Sequence, residues 1–209
     1  MPDDSFERAC FDRGHQVVAG IDEAGRGPLA GPVSAAAVVL PKGFTFEGLD
    51  DSKKLTEKRR ELLFDQLMEE SEVRWGLAMI EAPEVDELNV LKATHIAMAR
   101  AVEALGLDVD HCLVDGLPVP HFPYSHEGIV KGDSKSISIA AASIIAKVSR
   151  DRKMREHAEE FPEYGFERHK GYGTKDHLTA LEAHGPCRIH RRSFQPVAQR
   201  FLPFDQPEG

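Results

Sequence analysis

Cysteine is scarce in this 209-residue chain: Cys10, Cys112 and Cys187 are odd in number and far apart. Neither a disulfide framework nor a paired Cys-x-x-Cys zinc module follows from them, and a reducing cytoplasm is the simplest compartment. Long apolar runs are also lacking. The longest, residues 33–40, follows Pro32 and is far too short to span a bilayer. The opening residues, Met1-Pro2-Asp3-Asp4-Ser5, are acidic and place no basic stretch ahead of an apolar one, unlike a secretory signal. No internal repeat or low-complexity tract is evident. What is present is ordinary for a soluble globular protein, 41% hydrophobic and 29% charged residues. The length fits one domain over residues 1–209, with a core of about 15–160 and a C-terminal helical and loop segment of about 161–209.

Positive charge is in deficit, with a formal net charge of −9. The deficit lies in residues 1–146, which hold 14 Lys/Arg against 25 Asp/Glu; residues 147–209 hold 12 against 10. Arg188, Arg191, Arg192 and Arg200 fall in an acid-free stretch, 188–200. Affinity for phosphates depends on local surface charge rather than the total. The acidic total argues against tight non-specific DNA binding and leaves a nuclease open.

Hydrophobic patterning predicts strands at 17–21, 33–40, 73–80, 111–114 and 127–130. The first two are joined by a turn rich in Gly and Pro, the signature of an antiparallel hairpin. Helices are expected at 57–70, capped by Thr56 with Leu62, Leu63 and Leu67 on one face, and at 89–105, with Leu91, His95, Met98, Val102 and Leu105 inward and Gly106 as the stop. Further helices are expected at about 136–160 and 174–184. The order implies an α/β fold with a mixed five-stranded sheet flanked by helices, in which one antiparallel strand joins a mostly parallel set.

Acidic residues stand where such sheets build sites. Asp22 and Glu23 close the first strand, Asp115 closes the fourth, and Asp133 precedes the long helix. Carboxylates gathered there repel one another unless a cation neutralises them, and three or four suit Mg²⁺ or Mn²⁺. A pair of such ions can promote phosphodiester hydrolysis. Consecutive residues on a regular strand face opposite ways, so Asp22 and Glu23 share an ion only if the strand ends or twists at Glu23. Asp133 beside Ser134 reads equally well as a helix cap.

In order along the chain stand Gly20-Ile21-Asp22-Glu23-Ala24-Gly25-Arg26-Gly27-Pro28, Asp51-Ser52-Lys53-Lys54-Leu55, Val114-Asp115-Gly116 and Lys131-Gly132-Asp133. They are followed by the run from Ala141 to Asp151, by His169-Lys170-Gly171-Tyr172-Gly173 and by His190-Arg191-Arg192-Ser193-Phe194. This series resembles bacterial ribonuclease HII, the type 2 ribonuclease H. The resemblance implies a ribonuclease-H-like fold and hydrolysis of the RNA strand of RNA–DNA hybrids. It also implies incision 5′ to single ribonucleotides in duplex DNA, leaving 3′-hydroxyl and 5′-phosphate ends, in primer removal during replication and in ribonucleotide excision repair. It assigns Asp22, Glu23, Asp115 and Asp133 as the metal-organising acids. Asp22, Glu23 and Asp115 are expected on a first Mn²⁺ or Mg²⁺, and Asp133 with a second ion once substrate arrives. Gly25-Arg26-Gly27 would meet the ribose 2′-hydroxyl through its backbone, and Tyr172 would pack on the junction sugar. As structure alone, the first is a tight turn and the second a loop anchor. Lys53, Lys54, Lys147, Arg191 and Arg192 are expected to contact phosphate.

Three alternatives stand beside this reading. The sister ribonuclease HIII carries an extra N-terminal domain, for which the sixteen or so residues before the first strand leave no room. A silent binding module would not keep four costly carboxylates. A small-molecule phosphoesterase gives Gly25-Arg26-Gly27 and Tyr172 no role. Cys187 and His190, with His169, His177 and His184, repeat no paired zinc module. The chain is expected to act as a monomer away from membranes. Its tail, with Phe201 and Phe204, either folds back on the core, the favoured reading, or docks on a sliding clamp.

Overall fold

The computed structural model describes residues 1–46, 48, 49 and 55–201. Lys53 and Lys54, with Asp51 and Ser52 of the same motif, and residues 202–209 lie outside them. Five strands, β1 (Val18–Ala24), β2 (Val33–Val39), β3 (Arg74–Ile80), β4 (His111–Asp115) and β5 (His126–Ile129), form one sheet in the order β3-β2-β1-β4-β5. β2 runs antiparallel to β1 and β3, while β4 is parallel to both β1 and β5. The hairpin and the single reversed strand match the sequence reading.

Alternation along β1 and β2 divides the core. Ile21, Ala35 and Ala37 pack on one face with helix α4 (Val90–Glu103), reached through α3 (Ala82–Leu88). Ala36 and Val38 pack on the other with α2 (Glu57–Glu69) and α5 (Ile137–Glu160). Small residues let α5 approach closely. A Cβ at Gly20 would stand 2.3 Å from the Ser138 carbonyl carbon, so helix backbone lies directly on β1. α1 (Ser5–Asp12) is fastened to the start of α5 by Glu7, whose buried carboxylate accepts from the Ser136 hydroxyl and from the Ser138 amide and hydroxyl.

Caps follow the sequence: Thr56, Ser136 and Thr174 each accept an amide of the first turn of α2, α5 and α7 (Lys175–His184). α1, α3 and the short α6 (Phe166–His169) were not anticipated. Two expected core positions are corrected. Leu62 and Leu91 are 47% and 51% exposed, because Phe64 joins Leu63 and Leu67 inside α2, and Leu91 sits in the first turn of α4, beyond the sheet. No helix among the described residues is long and apolar enough to cross a membrane.

Candidate active site

The register places Ile21 opposite Val114, which sets Asp22 beside Asp115 at the carboxyl ends of two parallel strands. Asp133 comes to them from a 3-10 turn, Gly132–Ser134, ahead of α5. It does not cap α5, since Ser136 does. Asp22, Asp115 and Asp133 each offer an oxygen within 4.8 Å of the others, and Asp22 and Asp133 are buried. Asp115 is aimed by the Gly132 amide, which donates to its Oδ1 at 2.6 Å. Burial first, then the charges of Glu23 and Asp115, hold the Asp22 carboxyl well above the usual carboxylate range, against donors from Ser143 and the Glu23 amide. A site that penalises its own negative charge, with an all-oxygen donor set, fits a hard divalent cation.

Glu23 adjoins the trio. Its carboxylate pairs with Arg26 at 3.1 Å, yet its charge raises the Asp22 carboxyl more than that of Asp115 does, and it lines the same groove as Ser143. The structure gathers Asp22, Asp115 and Asp133 within one ligand span, with Glu23 beside them and paired with Arg26.

Beside the trio runs a groove of about 240 Å³, lined by Glu23, Gly25, Arg26, Gly27, Lys147 and Tyr172. Ser143, one turn before Lys147 on α5, lines it too and links it to Asp22. Tyr172 is 46% exposed, and its ring edge lies 3.8 Å from where a Gly27 Cβ would project. Lys147 donates to Asp151 at 2.7 Å, and burial lowers its pKa.

Two arginines build the loop between β1 and β2. Arg191, expected on phosphate, is fully buried, and this is a correction. All five of its N–H groups are spent on the carbonyls of Gly25, Arg26, Pro28 and Gly31. No donor is left for a ligand. Burial, and then the neighbouring Arg150, pull its pKa down. Arg150, equally buried, donates to Ala30, Pro32 and Lys170 carbonyls, and its Nε lies 2.0 Å from where a Gly25 Cβ would project. Only a residue without Cβ, tolerant of φ +91°, fits there. With the carbonyls turned inward, the Arg26 and Gly27 amides donate to nothing among the described residues. Arg192 is exposed on the α3 side, where Asp86 accepts from its backbone amide.

Tyr172 has its own support. The Cys187 amide donates to His190 Nδ1, which makes His190 Nε2 the donor to His177 Nε2, 3.0 Å away; His177 Nδ1 then donates to the Tyr172 carbonyl. His169 likewise accepts from the Gly171 amide and faces the Tyr164 carbonyl. These nitrogens are committed to hydrogen bonds. Burial pushes His177 and His190 down to about 4, so both are neutral near pH 7. Ser143, Arg150, His177 and His190 were missed as working residues. The Ser143–Lys147–Asp151 spacing, four apart on one helix face, was the available signal.

Fold and site together define a carboxylate-based nuclease. The ribonuclease HII family model matches residues 19–197. The ribonuclease HII of Chlamydia abortus is 54% identical over 196 residues, 94% of this chain and 92% of that protein. Among solved structures, ribonuclease H2 from Pyrococcus horikoshii superposes with a TM-score of 0.74 at 26% identity, covering 88% of this chain and 97% of that one. A structure described as the PCNA:RNase HII complex from Archaeoglobus fulgidus gives 0.71 at 25%, covering 86% and 96%. The chain belongs to the ribonuclease HII family. It is therefore a type 2 ribonuclease H, an endoribonuclease of RNA–DNA hybrids, with the ribonuclease-H-like fold.

Proposed function

We propose that the enzyme also incises duplex DNA on the 5′ side of a single embedded ribonucleotide, leaving 3′-hydroxyl and 5′-phosphate ends. The observation that carries this reading is Tyr172 facing Gly27 across a groove that adjoins the carboxylates. A ribose 2′-hydroxyl both donates and accepts, and a phenol ring covers a sugar face while its hydroxyl stays available. The Arg26 and Gly27 amides supply donors at the groove, and deoxyribose lacks the 2′-oxygen that would accept from them. Asp22, Asp115 and Asp133 would hold Mg²⁺ or Mn²⁺, one ion alone and a second with substrate, supplying Lewis-acid stabilisation of the attacking and leaving oxygens. Glu23, whose charge already acts on Asp22, would join Asp22 and Asp115 on the first ion. Lys147, Lys53, Lys54 and Arg192 remain the phosphate contacts of this reading.

The protein acts as a monomeric single domain in the cytoplasm, in primer removal and ribonucleotide repair. Because the Archaeoglobus relative was solved with PCNA, a sliding clamp is a second partner to test. Deleting residues 199–209 removes a clamp-binding signal only if the tail carries it. The reading of Tyr172 is tested by Tyr172→Ala on two substrates, a single-ribonucleotide duplex and a long hybrid. Incision of the first falls more than cleavage of the second; equal losses refute the junction role.

A further inference from the structure

At the opposite end of the sheet from the carboxylates, three residues with no sequence proximity meet. Cys10 comes from α1, His111 opens β4 and Glu127 lies in β5. His111 and Asp115 are four residues apart along β4, about 13 Å, so this place is distinct from the active site. Cys10 is fully buried and His111 is 8% exposed. Glu127 Oε1 stands 3.8 Å from Cys10 Sγ and 3.4 Å from His111 Nε2, and all three ligand atoms lie within 4.8 Å of one another. His111 Nε2 is buried without a hydrogen-bond partner, while Nδ1 is already engaged with Ser125 Oγ at 2.9 Å.

We propose that Cys10, His111 and Glu127 form a zinc site that fastens α1 to the amino ends of β4 and β5. A tetrahedral Zn²⁺ with bonds of about 2.3 Å to sulfur and 2.0 Å to nitrogen or oxygen sets its ligand atoms roughly 3.3–3.6 Å apart. The two measured separations are already close to that. Sulfur, imidazole and carboxylate select a borderline first-row cation and suit Mg²⁺ poorly. The bond from Nδ1 to Ser125 orients the ring, as partners of ligating histidines commonly do. A positive group is already drawn to the place: Arg13 Nη2 lies 3.0 Å from Cys10 Sγ and 2.8 Å from Glu127 Oε1. The Arg13 side chain is half exposed, so it can leave for solvent, and an ion pair open to water competes weakly with a divalent ion. Binding releases the Cys10 proton to solvent, and Glu127 leaves one position open to water. His15, stacked on His111 with ring centroids 4.9 Å apart, shields the imidazole.

The test uses the full chain carrying Asp22→Asn and Asp115→Asn, which silences the carboxylate site, titrated with Co²⁺ as a spectroscopic stand-in and then with Zn²⁺. One Co²⁺ per chain gives a thiolate charge-transfer band that Zn²⁺ bleaches and excess Mg²⁺ leaves intact. Cys10→Ser and Glu127→Gln each abolish the band, Cys187→Ser keeps it, and Arg13→Ala tightens binding by removing the competing cation. No band, a band that survives Cys10→Ser or depends on Cys187, or weaker binding in Arg13→Ala overturns the proposal. Folding of each variant is read from its far-ultraviolet circular dichroism, and Glu127→Gln, at a partly exposed strand position, tests the site if Cys10→Ser does not fold.

Discussion

Replacing Arg191 by lysine separates a brace from a phosphate contact. Arg191 makes five hydrogen bonds to four carbonyls of the 25–32 loop, and those to Gly25, Pro28 and Gly31 are buried. Lysine has three donors on one nitrogen, so at least one carbonyl loses its partner. A buried carbonyl left bare costs about 1–3 kcal/mol. For a chain of this length that lowers Tm by roughly 2–12 °C. The catalytic effect is separate. A shift of about 1 Å in the Gly25-Arg26-Gly27 backbone costs on the order of 100-fold in rate. Cleavage of both the single-ribonucleotide duplex and the long hybrid therefore falls well below wild type at temperatures where the variant is folded. The metal-induced rise in Tm persists, because the Asp22, Asp115 and Asp133 oxygens are untouched. Thermal unfolding with and without Mn²⁺, and gel-resolved cleavage, measure the two halves. A variant with wild-type Tm refutes the brace, and a destabilised but fully active one refutes its role in positioning. A phosphate contact behaves differently again, leaving Tm alone and reducing the salt slope of substrate binding by about one.

Other substitutions probe the rest of the site. Asp22→Asn abolishes metal-dependent cleavage yet stabilises the metal-free fold. The raised folded-state pKa of Asp22 means its protonated form is favoured by folding, so wild-type stability falls as pH rises through that pKa. The variant lacks this fall, and Tm against pH without metal shows the difference. For His177 and His190 the sign is opposite. Their folded values near 4 lie below the ordinary 6.5, so stability present above pH 6.5 is lost as pH falls towards 4. His177→Gln flattens Tm against pH across that window, and an unchanged profile contradicts the neutral relay. Lys147→Ala weakens substrate binding and lowers its salt dependence without lowering Mn²⁺ affinity, measured by binding at several ionic strengths.

Much of the fold was legible because its signals are local. The 25–32 turn, the cap Thr56 and the Gly106 stop are each set by a few neighbouring residues. α3 carried a readable signal in Pro83, which sits in its first turn, but the segment is only seven residues long and lacks an apolar stripe. Asp133 was readable as an acid near the site, although only three-dimensional packing distinguishes it from a cap. Arg191 was not legible at all. Its carbonyl partners lie 160 or more residues away in sequence, and a buried arginine reads like a surface one when its partners are backbone atoms. Separations of more than 100 residues likewise hide Cys10 from His111 and Glu127.

The most direct test of the account is a labelled duplex holding one ribonucleotide, incubated with the enzyme and either Mg²⁺ or Mn²⁺, with the cut position mapped. The arrangement of Asp22, Asp115 and Asp133 beside Gly25-Arg26-Gly27 and Tyr172 predicts a single cut on the 5′ side of the ribonucleotide, leaving a 3′-hydroxyl. No cut with either metal, or a cut indifferent to the ribonucleotide's position, would contradict it.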